Sequence, residues 1–265
     1  MNTKIQVSTL WISDIHLGNR DCKAELLLDF LEHIDCKTLY LVGDIIDMWQ
    51  MSKQFRWPQS HNDVLHKLVS LSRNGTRVVF LPGNHDAPLQ QYSGMQFGDI
   101  EIMRETIHET ASGKRYLVLH GDQFDDDVML GRFHHWIGDH GYNLLLTVNR
   151  WYNAIQQIRK RKYWSLAGYV KQRIAGANLA IARFKSAACH RAAKIGVDGV
   201  ICGHIHHPES TDFKGVHYIN DGDWVENCTA IYEDHCGTLK LLHWAESAEN
   251  VTPINTPRPN ASKAA

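Results

Sequence analysis

Five times along this chain a short apolar, β-branched run stops at a turn whose side chains can bind metal. The runs are Ile5–Ile12, Thr38–Val42, Arg77–Leu81, Tyr116–Leu119 and Gly199–Cys202. The turns that follow read Asp14-Ile15-His16, Gly43-Asp44-Ile45-Ile46-Asp47, Gly83-Asn84-His85-Asp86, His120-Gly121-Asp122 and Gly203-His204-Ile205-His206. Helical spacing separates the early runs: Leu26, Leu27, Phe30, Leu31 and Ile34 share a face of Lys23–Ile34. In Asp63–Arg73 the face is Val64, Leu65, Leu68, Val69 and Leu71, with Gly75 as a C-cap. Strands alternating with helices predict a layered α/β architecture. Ligand sites in such folds gather beyond the carboxyl ends of the strands, so the five turns are expected to meet.

The residue types in those turns favour metal chemistry. Glycines ahead of Asp44, Asn84 and His204 let the backbone turn sharply and bring short side chains to a common point. Imidazole with carboxylate suits Mn, Fe or Zn, and the lack of a cysteine in the turns argues against a structural zinc cage. Two ions roughly 3.5–4 Å apart could share a carboxylate and clamp a phosphoryl group between them. The chain has 17 histidines in 265 residues, several of them in these turns. Of the rest, His134, His135, His140 and His207 read as surface or packing residues.

Six cysteines, with no CxxC pair, read as reduced thiols of a cytosolic protein. No basic-then-apolar leader precedes Ile5, and no apolar stretch approaches the ~20 residues that span a bilayer. A cytoplasmic protein is expected, with any membrane contact peripheral.

After Asp125 the strand pattern stops. From about 127 to 194 the spacing is helical, with Trp151, Ile155 and Ile158 on one face and Leu166, Tyr169, Val170 and Ile174 on another. Strand character returns at Gly199–Cys202, His217–Ile219, Ala230–Tyr232 and Thr238–His243. The expected organisation is a core of residues 1–125 and 196–244, a helical cap over 126–195, and a disordered tail over 245–265. Between Asp139 and Asp198 there are 58 residues without Asp or Glu, carrying 11 Lys or Arg. That stretch is +11, so the remainder of a chain of net charge −1 carries −12. Such a dipole draws anions toward the insertion. Trp151, Tyr152, Tyr163, Trp164 and Tyr169 interleave with the charges. That mixture suits an anionic leaflet or a nucleic-acid backbone with stacked bases, the plain alternative being a solvated helical face.

Asp-x-His, Gly-Asp-x-x-Asp, Gly-Asn-His-Asp, His-Gly-Asp and Gly-His-x-His, in this order from residue 14 to 206, resemble the calcineurin-like metallophosphoesterase superfamily. The resemblance implies a β-sandwich of two sheets flanked by helices. It implies that Asp14, His16, Asp44 and His206 hold one metal, with Asp44 bridging, and that Asn84, His120 and His204 complete a second site. His85 would be the catalytic histidine that meets the phosphate or protonates the leaving oxygen, and Asp86 would orient it. Asn84 and His85 would also touch substrate. Asp122 would support a ligand or touch substrate. Asp47 is either a hydrogen-bonding support behind the ligands or a loop cap.

Within the superfamily, a basic helical insertion placed between the His-Gly-Asp and Gly-His-x-His turns is similar to that of the UDP-2,3-diacylglucosamine hydrolases. The run Asp221-Gly222-Asp223-Trp224-Val225-Glu226 is similar to their Gly-Asp-Trp segment. That resemblance implies a pair of divalent ions, manganese first and Fe or Zn as alternatives. It further implies cleavage of the pyrophosphate of a nucleotide-linked sugar lipid to UMP and a lipid sugar phosphate, in contact with the inner leaflet. Those enzymes carry arginine where His85 stands. Arginine is a fixed bidentate cation, whereas histidine exchanges a proton. The alternatives are a phosphodiesterase or phosphomonoesterase acting on nucleotides or nucleic acid, and a non-catalytic scaffold of the same fold.

Overall fold

The computed structural model describes residues 4–125 and 175–247. In chain order the first half gives β1 (Ile5–Ile12), α1 (Ala24–His33), β2 (Ile34–Leu41), α2 (Met48–Lys53), α3 (Gln59–Arg73), β3 (Arg77–Phe80), β4 (Gln96–Phe97), β5 (Ile100–Ile102), β6 (Glu105–Glu109) and β7 (Arg115–Leu119). The second gives α4 (Ala175–Ile195), β8 (Gly199–Cys202), β9 (Glu209–Phe213), β10 (Val216–Asn220), β11 (Thr229–Glu233), β12 (Leu239–His243) and α5 (Trp244–Ser247). One sheet runs β12-β11-β1-β2-β3-β5-β4, and the other β6-β7-β8-β10-β9. The central strands of each are parallel: β1, β2, β3 and β5 in the first, and β7, β8 and β10 in the second. This is the expected mixed sandwich flanked by helices.

Period-two alternation divides the core into three layers. Leu10 and Ile12 of β1 face α1 and α3, while Trp11 between them faces the other sheet. In β7, Leu117 and Leu119 face α4 while Tyr116 and Val118 turn inward. The inter-sheet layer also holds Tyr40, Val79, Leu81, Ile201, Ile219 and Ile231, all buried. A polar chain crosses it: Thr9 donates to Glu233 (2.8 Å), His108 Nε2 lies 3.0 Å from the same carboxylate oxygen, and Tyr40 meets His108 Nδ1 at 3.3 Å.

Three details differ from the sequence reading. Ile34, expected to close the first helix, instead opens β2 and pairs with Ile5, so helix passes to strand with no loop. Four strands carry no apolar alternation strong enough to read: β4, β5, β6 (Glu-Thr-Ile-His-Glu) and β9 (Glu-Ser-Thr-Asp-Phe). Three of them are sheet edges, where polar residues discourage pairing with another chain, and β5 pairs with one of those edges. Lastly, α4 falls inside the stretch expected as a cap, yet it lies on the second sheet with Phe184, Ala188, Cys189 and Ala192 buried. Its small residues let helix and sheet approach closely. The rest of the expected cap, 126–174, lies outside the described residues, as does the expected tail beyond 247; residues 245–247 continue α5. All six cysteines are free.

Trp11 stacks on Tyr40 (centroids 5.5 Å apart) and stands edge-on to His108 (4.9 Å), joining both sheets. Trp11→Ala should therefore lower unfolding stability by ~3–5 kcal/mol, seen as a fall in the urea midpoint at unchanged slope.

Candidate metal centre

All five turns converge at one end of the sandwich. Those after β1, β2 and β3 come from the first sheet, and those after β7 and β8 from the second. Backbone bonds stitch neighbouring turns together: Asp14 N–H to Gly43 C=O (3.0 Å), His16 N–H to Asp44 C=O (2.9 Å) and Gly203 N–H to His120 C=O (3.1 Å). Five of the expected ligands take left-handed backbone: Asp14 (φ 48°), His16 (54°), Asp44 (53°), His204 (71°) and His206 (50°). Such conformations are costly for residues with a Cβ and collect at functional sites. Two glycines make room. A Cβ at Gly83 would collide with Asp44 Oδ1 and the His120 ring, and one at Gly203 with Ser13 and Asp14 Oδ2.

Three groups of donors gather among the described residues, the third being His16, Asp47 and His85. Asp14, His16 and His206 bring one ligand atom each within 4.8 Å of the others, and so do Asp44, His120 and His204. In the first group His206 Nε2 lies 3.0 Å from Asp14 Oδ1 and 3.3 Å from His16 Nε2. In the second, Asn84 Oδ1 lies 3.3 Å from His120 Nε2 and 3.1 Å from His204 Nδ1. One oxygen, Asp44 Oδ2, stands between them, 3.9 Å from His16 Nε2 and 3.4 Å from His120 Nε2. Its other oxygen accepts the His85 N–H at 2.8 Å. Asp14 Oδ1 is buried and makes no hydrogen bond of good geometry, although His206 Nε2 lies only 3.0 Å away. Facing imidazole nitrogens and a buried carboxylate oxygen are the donor set a divalent pair requires, so the residues fit two ions sharing Asp44.

Behind three of the histidines, His16, His120 and His204, a second group sets the ring's orientation. His120 Nδ1 is tied to the Val42 carbonyl (2.8 Å), and His204 Nε2 to Asp125 (2.6 Å). Asp47 holds two rings at once, its Oδ2 lying 3.3 Å from His16 Nδ1 and its Oδ1 2.8 Å from His85 Nδ1. It also accepts the Gln50 N–H at the start of α2 (2.8 Å) and a bond from Asn19 (3.1 Å). Both readings of Asp47, support and cap, are therefore realised in one carboxylate.

Asp86 needs a correction. It does not orient His85, because Asp47 does. Asp86 is buried and accepts backbone N–H groups from Gly83 (2.5 Å), Ile45 (2.8 Å), Asp44 (3.3 Å) and Ile46 (3.4 Å), welding the second turn to the third. Asp122 supports the third turn from the other side. It pairs with Arg104 (2.8 Å), which also holds the Pro82 carbonyl, and with Gln90 (3.3 Å), which holds that of Gly83. Asp125, Arg104 and Gln90 carry no signal in the sequence, being single polar residues in no motif. His85 opens to the rim, where Trp49, 54% exposed, stands edge-on to it with centroids 5.4 Å apart. Lys53 Nζ lies 3.1 Å above the Trp49 ring.

The electrostatics suit cations. Burial works to raise the carboxyls of Asp14, Asp44 and Asp47, but neighbouring imidazoles outweigh it and hold all three below the ordinary range. The imidazoles respond in the opposite direction. Burial alone would lower His16, yet Asp47, Asp44 and Asp14 push it up to about 9. His120 is likewise driven up against burial, chiefly by Asp44. Burial and the Asp44 charge push Asp86 up to about 6, and burial raises Asp221 well above its ordinary value.

A divalent ion competes with the protons on the lifted imidazoles. In metal-free protein, His16 contributes stability that is complete below about 6.5 and lost as pH rises through about 9. Manganese binding should release close to one proton per lifted imidazole near neutrality, and fewer as pH approaches 9. Calorimetry in buffers of different ionisation enthalpy checks both.

Comparison with known proteins fits this geometry. A UDP-2,3-diacylglucosamine hydrolase of Blochmanniella pennsylvanica is 29% identical over 44% of this chain and 47% of its own. One from Porphyromonas gingivalis is 30% identical over 42% and 44%. The chain thus spans about half the length of these two. A third, from Haemophilus influenzae, is 25% identical over 88% of this chain and 97% of its own. The family model of the calcineurin-like phosphoesterases matches residues 7–208, which hold all seven candidate ligands, and the chain belongs to that family.

Proposed function

We propose that this protein is a two-metal phosphoester hydrolase acting on the pyrophosphate of a nucleotide-linked sugar lipid like UDP-2,3-diacylglucosamine. The observation that carries the reaction class is Asp44 Oδ2, poised between two complete donor groups with His85 beside them. Asp14, His16, His206 and Asp44 would hold one ion, and Asp44, Asn84, His120 and His204 the other. Manganese is the expected ion. Two such ions, when bound, supply Lewis acidity toward phosphoryl oxygens and lower the pKa of water.

The chain's own residues do the rest. His85, its Nδ1 tied to Asp47, presents Nε2 to the site. As an imidazolium it donates that proton to a phosphoryl or leaving oxygen. Asp47 stabilises the imidazolium and keeps the ring from turning. Asp86 fixes the backbone under both Asp44 and His85, so ligand and acid keep one spacing. Asn84 and His85 are the residues that would meet the phosphate.

The names of the relatives support the lipid substrate. So does the acid-free basic stretch, which would rest on the anionic cytoplasmic leaflet. No helix among the described residues is long and apolar enough to cross a membrane. One observation favours a second reading, a broader phosphodiesterase for nucleotides or nucleic acid. His85 is a proton donor where a fixed arginine would grip one phosphate geometry.

With Mn²⁺ present, the protein should turn over UDP-diacylglucosamine faster than UDP-glucose, bis-p-nitrophenyl phosphate or short DNA. A preference for DNA or the generic diester would move the reading to the broader enzyme. Asp44→Asn and His120→Ala should abolish all turnover, and full activity in either would remove the site assignment. His85→Ala should cost ~10²–10⁴ in kcat with little change in Mn²⁺ affinity.

A further inference from the structure

Ser13 has one hydroxyl proton and stands between two carboxyl groups. Its Oγ lies 2.5 Å from Asp14 Oδ2 and 2.6 Å from Asp221 Oδ1, with the Gly222 carbonyl farther off at 3.3 Å. All three side chains are buried. Oxygen pairs this close share a hydrogen, and one hydroxyl can donate only one. The other hydrogen therefore belongs to a carboxylic acid. Asp14 is in the wrong surroundings to be that acid. Its Oδ2 already receives the His204 N–H at 2.9 Å, and its Oδ1 faces His206 Nε2 at 3.0 Å. Asp221 is in the right ones. Its Oδ2 is buried with no hydrogen-bond partner, a place that strands a full charge but tolerates a neutral carbonyl.

We infer that Asp221 is a positioning residue that acts on the metal centre through Ser13, its acid O–H donating to Ser13 Oγ while the Ser13 O–H donates to Asp14 Oδ2. The donors run one way, from the turn after β10 into a ligand of the first group. With Ser13 and the His204 N–H both on Oδ2, Asp14 has Oδ1 alone to face His16 and His206. The chain thereby sets which oxygen binds and how the carboxylate is turned. Gly203 protects the arrangement, since a Cβ there would strike both Ser13 Oγ and Asp14 Oδ2. What Asp14 holds rests on the metal-centre reading above; the direction of the donors does not.

Two measurements on the full chain test this. Infrared difference spectra of metal-free wild type against Asp221→Asn should show a protonated-carboxyl C=O stretch at neutral pH that the variant lacks. Calorimetric titration with Mn²⁺ should find that Ser13→Ala weakens one of two sites ~10-fold or more and spares the other. Asp221→Ala should do the same, while Asp221→Asn, whose amide N–H also donates to Ser13, restores affinity close to wild type. If Asp221→Ala does not fold, Ser13→Ala and Asp221→Asn still decide the matter. The inference is overturned if no such stretch is lost, or if Ser13→Ala binds Mn²⁺ at both sites as wild type does. Wild-type protein that binds no Mn²⁺ would instead count against the metal centre, and the infrared comparison would still settle the donors.

Discussion

Side chains from five strand ends, drawn from two sheets, have to bring their donor atoms within a few ångströms of one another. Extended backbone cannot do this, because successive side chains leave a strand on opposite faces. The chain resolves the conflict by bending three of the five turns through left-handed conformations at Asp14, His16, Asp44, His204 and His206. Each costs on the order of 1–3 kcal/mol for a residue with a Cβ, and persists only where the surroundings over-determine it. The surroundings here are the cross-turn backbone bonds and the buried carboxyls beneath them. The inter-sheet layer around Trp11 matters for the same reason. It fixes the two sheets, and hence the two halves of the ligand set, at one distance.

Charge obeys the same logic. Asp14, Asp44 and Asp47 stay ionised in buried positions only because imidazoles surround them, and the imidazoles are lifted only because the carboxylates are there. Each group is protonated or ionised for the sake of the other. Divalent cations enter such a lattice by replacing protons, and among the described residues no Lys or Arg pairs with these three carboxylates. Asp86 escapes this role by its partners. Backbone N–H groups, rather than imidazoles, meet its oxygens, which makes it a brace for the turns.

The convergence of the candidate ligands was legible because each sits in a short motif directly after an apolar run, where periodicity and residue type agree. The supports were not. Asp47 and Asp86 stand at equal rank in their motifs, three residues after Asp44 and one after His85, and only the fold decides which carboxyl meets the His85 ring. Ser13 and Asp221 are 208 residues apart, and Asp125 and His204 are 79 apart, so no local pattern links them. Among strands, those with buried alternation were readable and the polar edges β6 and β9 were not, since an edge is defined by what it lacks. The helix α4 shows the converse. Its helical spacing was clear, but spacing does not say which surface a helix covers.

Reaction and substrate are written in different parts of the molecule. The candidate ligands Asp14, His16, Asp44 and His120 are buried, Asn84, His204 and His206 lie nearer the surface, and the set would serve any phosphoester. The groups that reach past them among the described residues are His85, with Trp49 and Lys53 beside it at the rim. At position 85 the chain gives up a permanent charge for an exchangeable proton. A permanent guanidinium binds ground state and transition state alike, whereas a proton handed to the leaving oxygen acts only as the bond breaks. On the proposed reading, that exchange moves the task of holding the substrate from residue 85 to its neighbours at the rim. On this view the histidine at 85 belongs with chemistry at the seam of the sheets, and the grip on a phosphoester is left to the groups around it.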